Sequence, residues 1–138
     1  MSYPTKEQIL SKDPKIESII IKTTLLWKKE YLKAWNKLPN EEKLKRLQIL
    51  IMWLYWANFK THNFLNIRIS NIYQYDHEKQ KIYLDQSNPN VISSLHELAH
   101  HIFGPSELKA CRWSIWIFKE CFPKQYEKLT WDRHMLIK

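Results

Sequence analysis

Residues 96–100 read His-Glu-Leu-Ala-His, an H-E-x-x-H pentapeptide inside an apolar run. In an α-helix, residues i and i+4 lie one turn apart on the same face, so the imidazoles of His96 and His100 can reach one metal ion. The carboxylate of Glu97 then lies beside that ion, within reach of a bound water molecule. The pentapeptide therefore constrains this stretch to a helix and predicts a metal site on it.

Capping signals on both sides of the pentapeptide predict a helical hairpin. Asn88-Pro89-Asn90 is a turn and helix-start signal, and apolar residues recur at helical spacing after it. Gly104, the only glycine in the chain, lies where a left-handed cap ends a helix, and Pro105 suits the first turn of a new one. We therefore predict helices at about 91–103 and 105–121, joined by a sharp corner.

Two histidines do not complete a catalytic zinc site, which normally has three protein ligands and a water molecule. If the second helix runs antiparallel to the first, its first turns pass the level of both histidines, and Glu107 lies there. Glu107 is therefore the preferred third ligand, with Cys111 and His134 as the leading alternatives. Glu120 lies roughly 20 Å beyond Glu107 on a continuous helix, which argues against it.

The stretch from Leu65 to Pro123 resembles the core of a zincin metallopeptidase. Within that group, a glutamate ligand on the helix after H-E-x-x-H is the gluzincin arrangement. Glu107, Ala110 and Trp113 are similar to the E-x-x-A-x-x-F/W helix of ImmA/IrrE-type regulatory metallopeptidases, and residues 96–100 match their H-E-L-[AG]-H. The connection between the two helices is much shorter here than in that family.

The resemblance implies a zinc-dependent metallopeptidase, a hydrolase of narrow specificity. His96, His100 and Glu107 would bind Zn²⁺, and Glu97 would be the general base toward the metal-activated water. The substrate would be a protein or peptide, such as a transcriptional regulator. The implied fold is a minimal zincin-like α+β domain with N-terminal helices, a small antiparallel sheet, an active-site helix and a returning glutamate helix.

A peptidase of this kind also needs a cationic or phenolic group that stabilises the oxyanion. Arg112, Tyr126 and His134 follow the motif and are available for this role. His101 is expected to be structural or solvated, because adjacent residues of a helix do not converge on one point.

The remaining elements follow from caps and from hydrophobic periodicity. Asp13-Pro14 resembles a cap followed by a first helical residue, and alternation of apolar and polar residues indicates strands. The predicted elements are helices over 13–38, 40–60 and 124–129 and strands over 67–69, 72–75 and 81–85. The last strand directly precedes the motif and is the expected edge strand, whose free backbone can pair with an extended peptide.

Length and composition predict one domain over residues 1–138, since 44% apolar residues and seven tryptophans can form a core. Residues 1–60 form a basic helical part with twelve basic and six acidic side chains. Residues 61–138 contain the sheet and the metal-site helices, with ten basic and eight acidic side chains. The basic surplus leaves two alternatives open: a zincin-like protein that binds metal or a partner without proteolysis, and, less favoured, a nucleic-acid-binding protein.

Cellular location is predicted from what the sequence lacks. No apolar run reaches the roughly 18 residues of a membrane span, and the N-terminus has no signal-peptide pattern. A cytoplasmic protein is therefore expected. Cys111 and Cys121 lie about 15 Å apart on one predicted helix, so both are expected to be free thiols. Nothing in the sequence predicts the oligomeric state.

Overall fold

A computed structural model describes residues 3–132 and 135–137 of the chain. The helices are α1 (Lys6–Leu10), α2 (Ser18–Tyr31), α3 (Asn40–Phe59), α4 (Val91–Phe103), α5 (Glu107–Cys121) and α6 (Pro123–Lys128). The strands are β1 (Asn66–Ser70), β2 (Gln74–Asp76), β3 (Lys81–Asp85), β4 (Thr130–Asp132) and β5 (Met135–Ile137). The predicted α+β class is therefore confirmed.

The sheet next to the motif helix is mixed, and β3 is its central strand. β1 pairs with β3 in parallel and β2 pairs with it antiparallel, which gives the order β1-β3-β2. The predictions of an antiparallel sheet and of an edge strand at residues 81–85 are therefore wrong. The alternation of apolar and polar residues in β3 indicates only that one face of the strand is buried, namely the face of Ile82 and Leu84. The alternation does not indicate whether one or two neighbouring strands pair with the backbone of β3.

The first long helix is shorter than predicted. The Asp13 side chain accepts a hydrogen bond from the backbone of Lys15 at 2.8 Å, which forms a local turn instead of a helix cap. Lys15 itself has a φ of 55°, so a helix cannot pass through it, and α2 begins only at Ser18. The start of α3 at Asn40 agrees with the prediction.

Two features of the described chain were not predicted: α1 and the antiparallel pair of strands β4 and β5. α1 begins with a capping box in which the side chains of Thr5 and Gln8 each accept a hydrogen bond from the other's backbone. Its Ile9 is completely buried in a small cluster with Cys111 and Ile115 of α5. The amino-terminal segment therefore packs directly on the helix that follows the motif.

The motif helix α4 lies in the middle of the fold and contacts α3, α5, β2 and β3. Fully buried side chains from α2, α3, β3, α4 and α5 form the main core around it. These include Trp27, Leu47, Leu50, Ile51, Leu54, Ile82, Leu84, Leu95, Leu98, Ala99, Ala110 and Ile117. Within the described residues, no helix has both the length and the apolar character needed to cross a bilayer.

Candidate metal centre

A tight helical hairpin made of α4 and α5 carries the candidate site. The side chain of Asn90 accepts a hydrogen bond from the backbone of Ser93 at 2.8 Å and starts α4. Gly104 ends α4, and Ser106 caps the start of α5. Pro105 thus lies in the corner and does not open the helix as predicted. The short corner places the first turn of α5 beside the last turns of α4.

The three sequence-predicted metal ligands meet at this hairpin. His100 Nε2 lies 2.7 Å from Glu107 Oε1, and His96 Nε2 lies 3.3 Å from Glu107 Oε2. The two imidazole rings are nearly perpendicular, with centroids 4.8 Å apart. One carboxylate at the start of α5 therefore faces both histidines of α4.

The backbone of the corner orients one of these histidines. His100 Nδ1 lies 2.9 Å from the carbonyl oxygen of Gly104. A carbonyl can only accept, so Nδ1 carries the proton and Nε2 is the nitrogen that faces Glu107. Such an acceptor behind the ring is the usual way in which a protein fixes the orientation of a histidine ligand.

The charged side chains at the hairpin shift one another's pKa values. Hydrogen bonds with His100 and His96 hold the pKa of Glu107 well below its usual range. Burial would lower the pKa of His100, but its hydrogen bonds to Glu107 and to Gly104 outweigh this and raise it. The contact between Glu107 and His100 therefore favours the charged form of each of these two side chains.

Glu97, the predicted general base, is buried, with only 7% of its surface exposed. Burial raises the pKa of its carboxyl above the ordinary value, and the charges of His96 and His100 partly oppose this. The contacts between the histidines and Glu107 do not involve Glu97. Its carboxyl is close enough to the cluster for the charges of His96, His100 and Glu107 to act on its pKa.

The donor types at the hairpin, two imidazoles and a carboxylate, are ones that a zinc ion accepts. Ligand atoms around tetrahedral zinc with bonds of 2.0–2.1 Å lie about 3.3 Å from one another. The two observed distances, 3.3 Å for His96 Nε2 and 2.7 Å for His100 Nε2, run to different oxygens of the Glu107 carboxylate.

Of the alternative third ligands, Cys111 also lies at the hairpin. Its Sγ is 3.7 Å from Glu107 Oε2 and 3.9 Å from His96 Nδ1. Burial, reinforced by the charge of Glu107, raises the pKa of this thiol. His134 lies outside the described residues. Glu120 is exposed near the far end of α5.

Two of the three predicted oxyanion-stabilising residues, Arg112 and Tyr126, lie in the described part of the chain and have other contacts. The guanidinium of Arg112 donates to the backbone carbonyls of Gln8 and Ile9 and so fastens α1 to α5. Tyr126 packs against the small apolar cluster on that side. Neither contact directs these groups toward the histidines.

His77 is a neighbour of the site that the sequence did not reveal. It is exposed in the turn after β2, and its ring is edge-on to the rings of Tyr75 and His100, at 4.8 and 5.6 Å between centroids. In the sequence it is one polar residue of a turn, and only the packing of β2 on α4 brings it to the site.

His101 is structural, in agreement with the prediction. The rings of Tyr55, Phe59 and Tyr75 surround its imidazole edge-on, with centroids 5.5–5.8 Å away. The hydroxyl of Tyr75 is 2.7 Å from its Nδ1, and burial lowers its pKa. His101 therefore fastens α4 to α3 and β2 and leaves the adjacent His100 to face α5.

The conformation of Gly104 leads to a stability prediction. Its φ of 80° and ψ of −151° lie outside the left-handed helical region that was predicted, in a region that is nearly exclusive to glycine. A Cβ built there meets no atom within 4 Å, so only the backbone opposes a side chain. Gly104→Ala is expected to lower the free energy of unfolding by about 1–3 kcal/mol, measured by urea denaturation of metal-free protein.

Lys60 provides a matched control for that variant. It ends α3 with a left-handed backbone at φ 52° and ψ 48°, where glycine is preferred. Lys60→Gly is therefore expected to leave stability unchanged or to raise it. Equal stability of Gly104→Ala and the parent chain would contradict the assigned strain.

Comparison of the chain with protein-family models, with curated proteins and with solved structures finds no match.

Proposed function

We propose that this chain is a zinc-dependent metallopeptidase of narrow specificity that cleaves a peptide bond in a protein substrate. The observation that supports this is the contact of both His96 and His100 with the carboxylate of Glu107, next to the buried Glu97. Two imidazoles, one carboxylate ligand and a second carboxylate beside them are the groups that a metal-dependent hydrolase of this type requires.

Each of these side chains has a distinct task in the proposed reaction. His96, His100 and Glu107 would hold the zinc ion, while the carbonyl of Gly104 keeps His100 in position. The bound ion would polarise the peptide carbonyl and lower the pKa of a water molecule. Glu97 accepts the proton of the attacking water and delivers it to the leaving amine.

The peptide would bind along β2 (Gln74–Asp76). β2 pairs with β3 on one side and is the last strand of its sheet on the other, within the described part of the chain. Its outer backbone groups are thus able to pair with an extended peptide. β2 leads directly to His77, whose ring contacts His100, so a peptide on this edge would reach the histidine face of α4. A transcriptional regulator is the substrate class that the resemblance to ImmA/IrrE-type enzymes suggests.

Zinc content and zinc-dependent cleavage test this function. Protein purified without chelators should contain about one zinc ion per chain, measured by mass spectrometry of the metal. In a cell lysate it should produce a small set of new protein N-termini. Phenanthroline should abolish their formation, and added zinc should restore it.

The other outcomes separate the alternatives. A chain that binds no divalent metal would contradict the proposal. Zinc binding without new N-termini would favour a regulatory role in which the protein binds metal or a partner without proteolysis. Affinity for DNA that falls steeply with salt would instead support a nucleic-acid-binding role for the basic N-terminal part.

A further inference from the structure

The sulfur of Cys111 lies at the metal-binding hairpin, where the proposed peptidase reaction gives it no task. One ring nitrogen of His96, one carboxylate oxygen of Glu107 and this sulfur all lie within 4.8 Å of one another. We propose that Cys111 is a metal ligand and forms, with His96 and Glu107, a second, thiolate-containing donor set for Zn²⁺ or Co²⁺.

The carboxylate of Glu107 divides the centre into two halves. Its Oε1 faces His100, whereas its Oε2 faces both His96 and Cys111. His96 presents Nε2 to the carboxylate and Nδ1 to the sulfur. One ion cannot bind both nitrogens of a single imidazole. If His96 binds the ion through Nε2, His100 completes the donor set. If His96 binds through Nδ1, Cys111 completes it.

The spacing of the sulfur suits direct coordination. With Zn–S bonds of about 2.3 Å and Zn–N or Zn–O bonds of about 2.0 Å, a tetrahedral site separates sulfur from its fellow ligands by about 3.5 Å. The observed distances to Glu107 Oε2 and His96 Nδ1 are 3.7 and 3.9 Å. Glu107 and Cys111 are one turn apart on α5, so the helix itself maintains this spacing.

The thiolate set balances the charge of a divalent ion more fully than the two-histidine set does. Imidazole, carboxylate and thiolate together carry two negative charges, which neutralise a divalent cation. The set of two histidines and Glu107 leaves one positive charge, and an unbalanced charge is costly away from water. When the sulfur–metal bond forms, the thiol proton is released to solvent, because a bound dication deprotonates a coordinating thiol.

A thiolate ligand also changes which ions bind. Sulfur donors favour zinc-like ions over magnesium and manganese, which prefer oxygen ligands. The inference rests on the metal site of the proposed function but does not require peptide hydrolysis, so the two can fail separately.

Cobalt titration of the full chain tests the assignment. Bound Co²⁺ should produce visible d–d bands together with a near-ultraviolet thiolate-to-cobalt charge-transfer band. Cys111→Ser should lose the charge-transfer band and bind cobalt at least about 10-fold more weakly. His100→Ala should keep the band, because the second donor set does not contain His100. Circular dichroism verifies that each variant is folded.

Cys121 supplies the matched control. It is the other cysteine of the chain, is also buried, and its thiol contacts the carbonyl of Ile21, so Cys121→Ser should keep the charge-transfer band. Cobalt d–d bands without a charge-transfer band in the parent chain would overturn the role of Cys111 and leave the peptidase proposal standing. A charge-transfer band that survives in Cys111→Ser would also overturn it. Failure of the parent chain to bind cobalt would overturn both proposals.

Discussion

Glu97→Gln is expected to lower peptide hydrolysis by about 10²–10⁴-fold while the zinc content stays unchanged. The amide has nearly the shape of the carboxylate but cannot accept a proton from water. The ligand contacts of His96 and His100 are made with Glu107 and do not involve this side chain. The measurement is the rate at which new N-termini form at equal protein concentration, with metal content determined on the same samples.

Glu120→Gln is the matched control for this experiment. Glu120 is an exposed glutamate on α5, the other helix of the hairpin, and its replacement should leave the rate unchanged. If Glu97→Gln retained the full rate, Glu97 would not be the general base. If the variant lost its zinc, Glu97 would instead have a structural role at the site.

Glu107→Ala is expected to weaken zinc binding by more than about 100-fold. Loss of an outer-shell partner already costs 10–100-fold in metal affinity, and Glu107 contacts both histidines directly. Competition with a chromophoric chelator measures the affinity. The thermal stabilisation by zinc should disappear as well, since an ion at about 100 times its dissociation constant contributes about 2.7 kcal/mol to the parent chain.

The control for this variant is Glu120→Ala, which removes an exposed glutamate from the same helix. It should leave the zinc affinity unchanged. Unchanged affinity in Glu107→Ala would exclude Glu107 as a ligand and would leave the histidines with Cys111 as the donor set to be tested.

Local signals were sufficient for the helices that carry the site. α4 begins and ends at the predicted residues, and α3 and α5 end within one residue of the prediction. A helix boundary is set by side chains that hydrogen-bond to backbone groups only a few residues away, as Asn90 does. Such contacts are visible in the sequence because they are local.

Sheet order and the start of α2 could not be obtained in this way. Alternation in residues 81–85 is the same for a central and an edge strand, because side chains report burial and not backbone pairing. Asp13-Pro14 has the composition of a helix cap. The side chain of Asp13 closes a turn onto Lys15 instead, which is an equally local alternative for an aspartate.

Groups that act on the site from a distance also lacked a local signal. His77 reaches His100 only because β2 packs on α4. The Gly104 carbonyl orients His100 through the backbone conformation of the corner, and any residue has a carbonyl. Neither contact could be predicted from a sequence motif, because neither follows from the residue types near the pentapeptide.

The sequence by itself determined that His96, Glu97 and His100 lie on one helix, and that this helix ends at the only glycine of the chain. Helical periodicity and backbone freedom are local properties, so both follow from residue types. Only the tertiary structure decided which groups of α5 meet the histidines. The length of the corner and the packing of α5 against α1, α2 and α4 set its rotation, and this rotation turns Glu107 and Cys111 toward the two imidazoles.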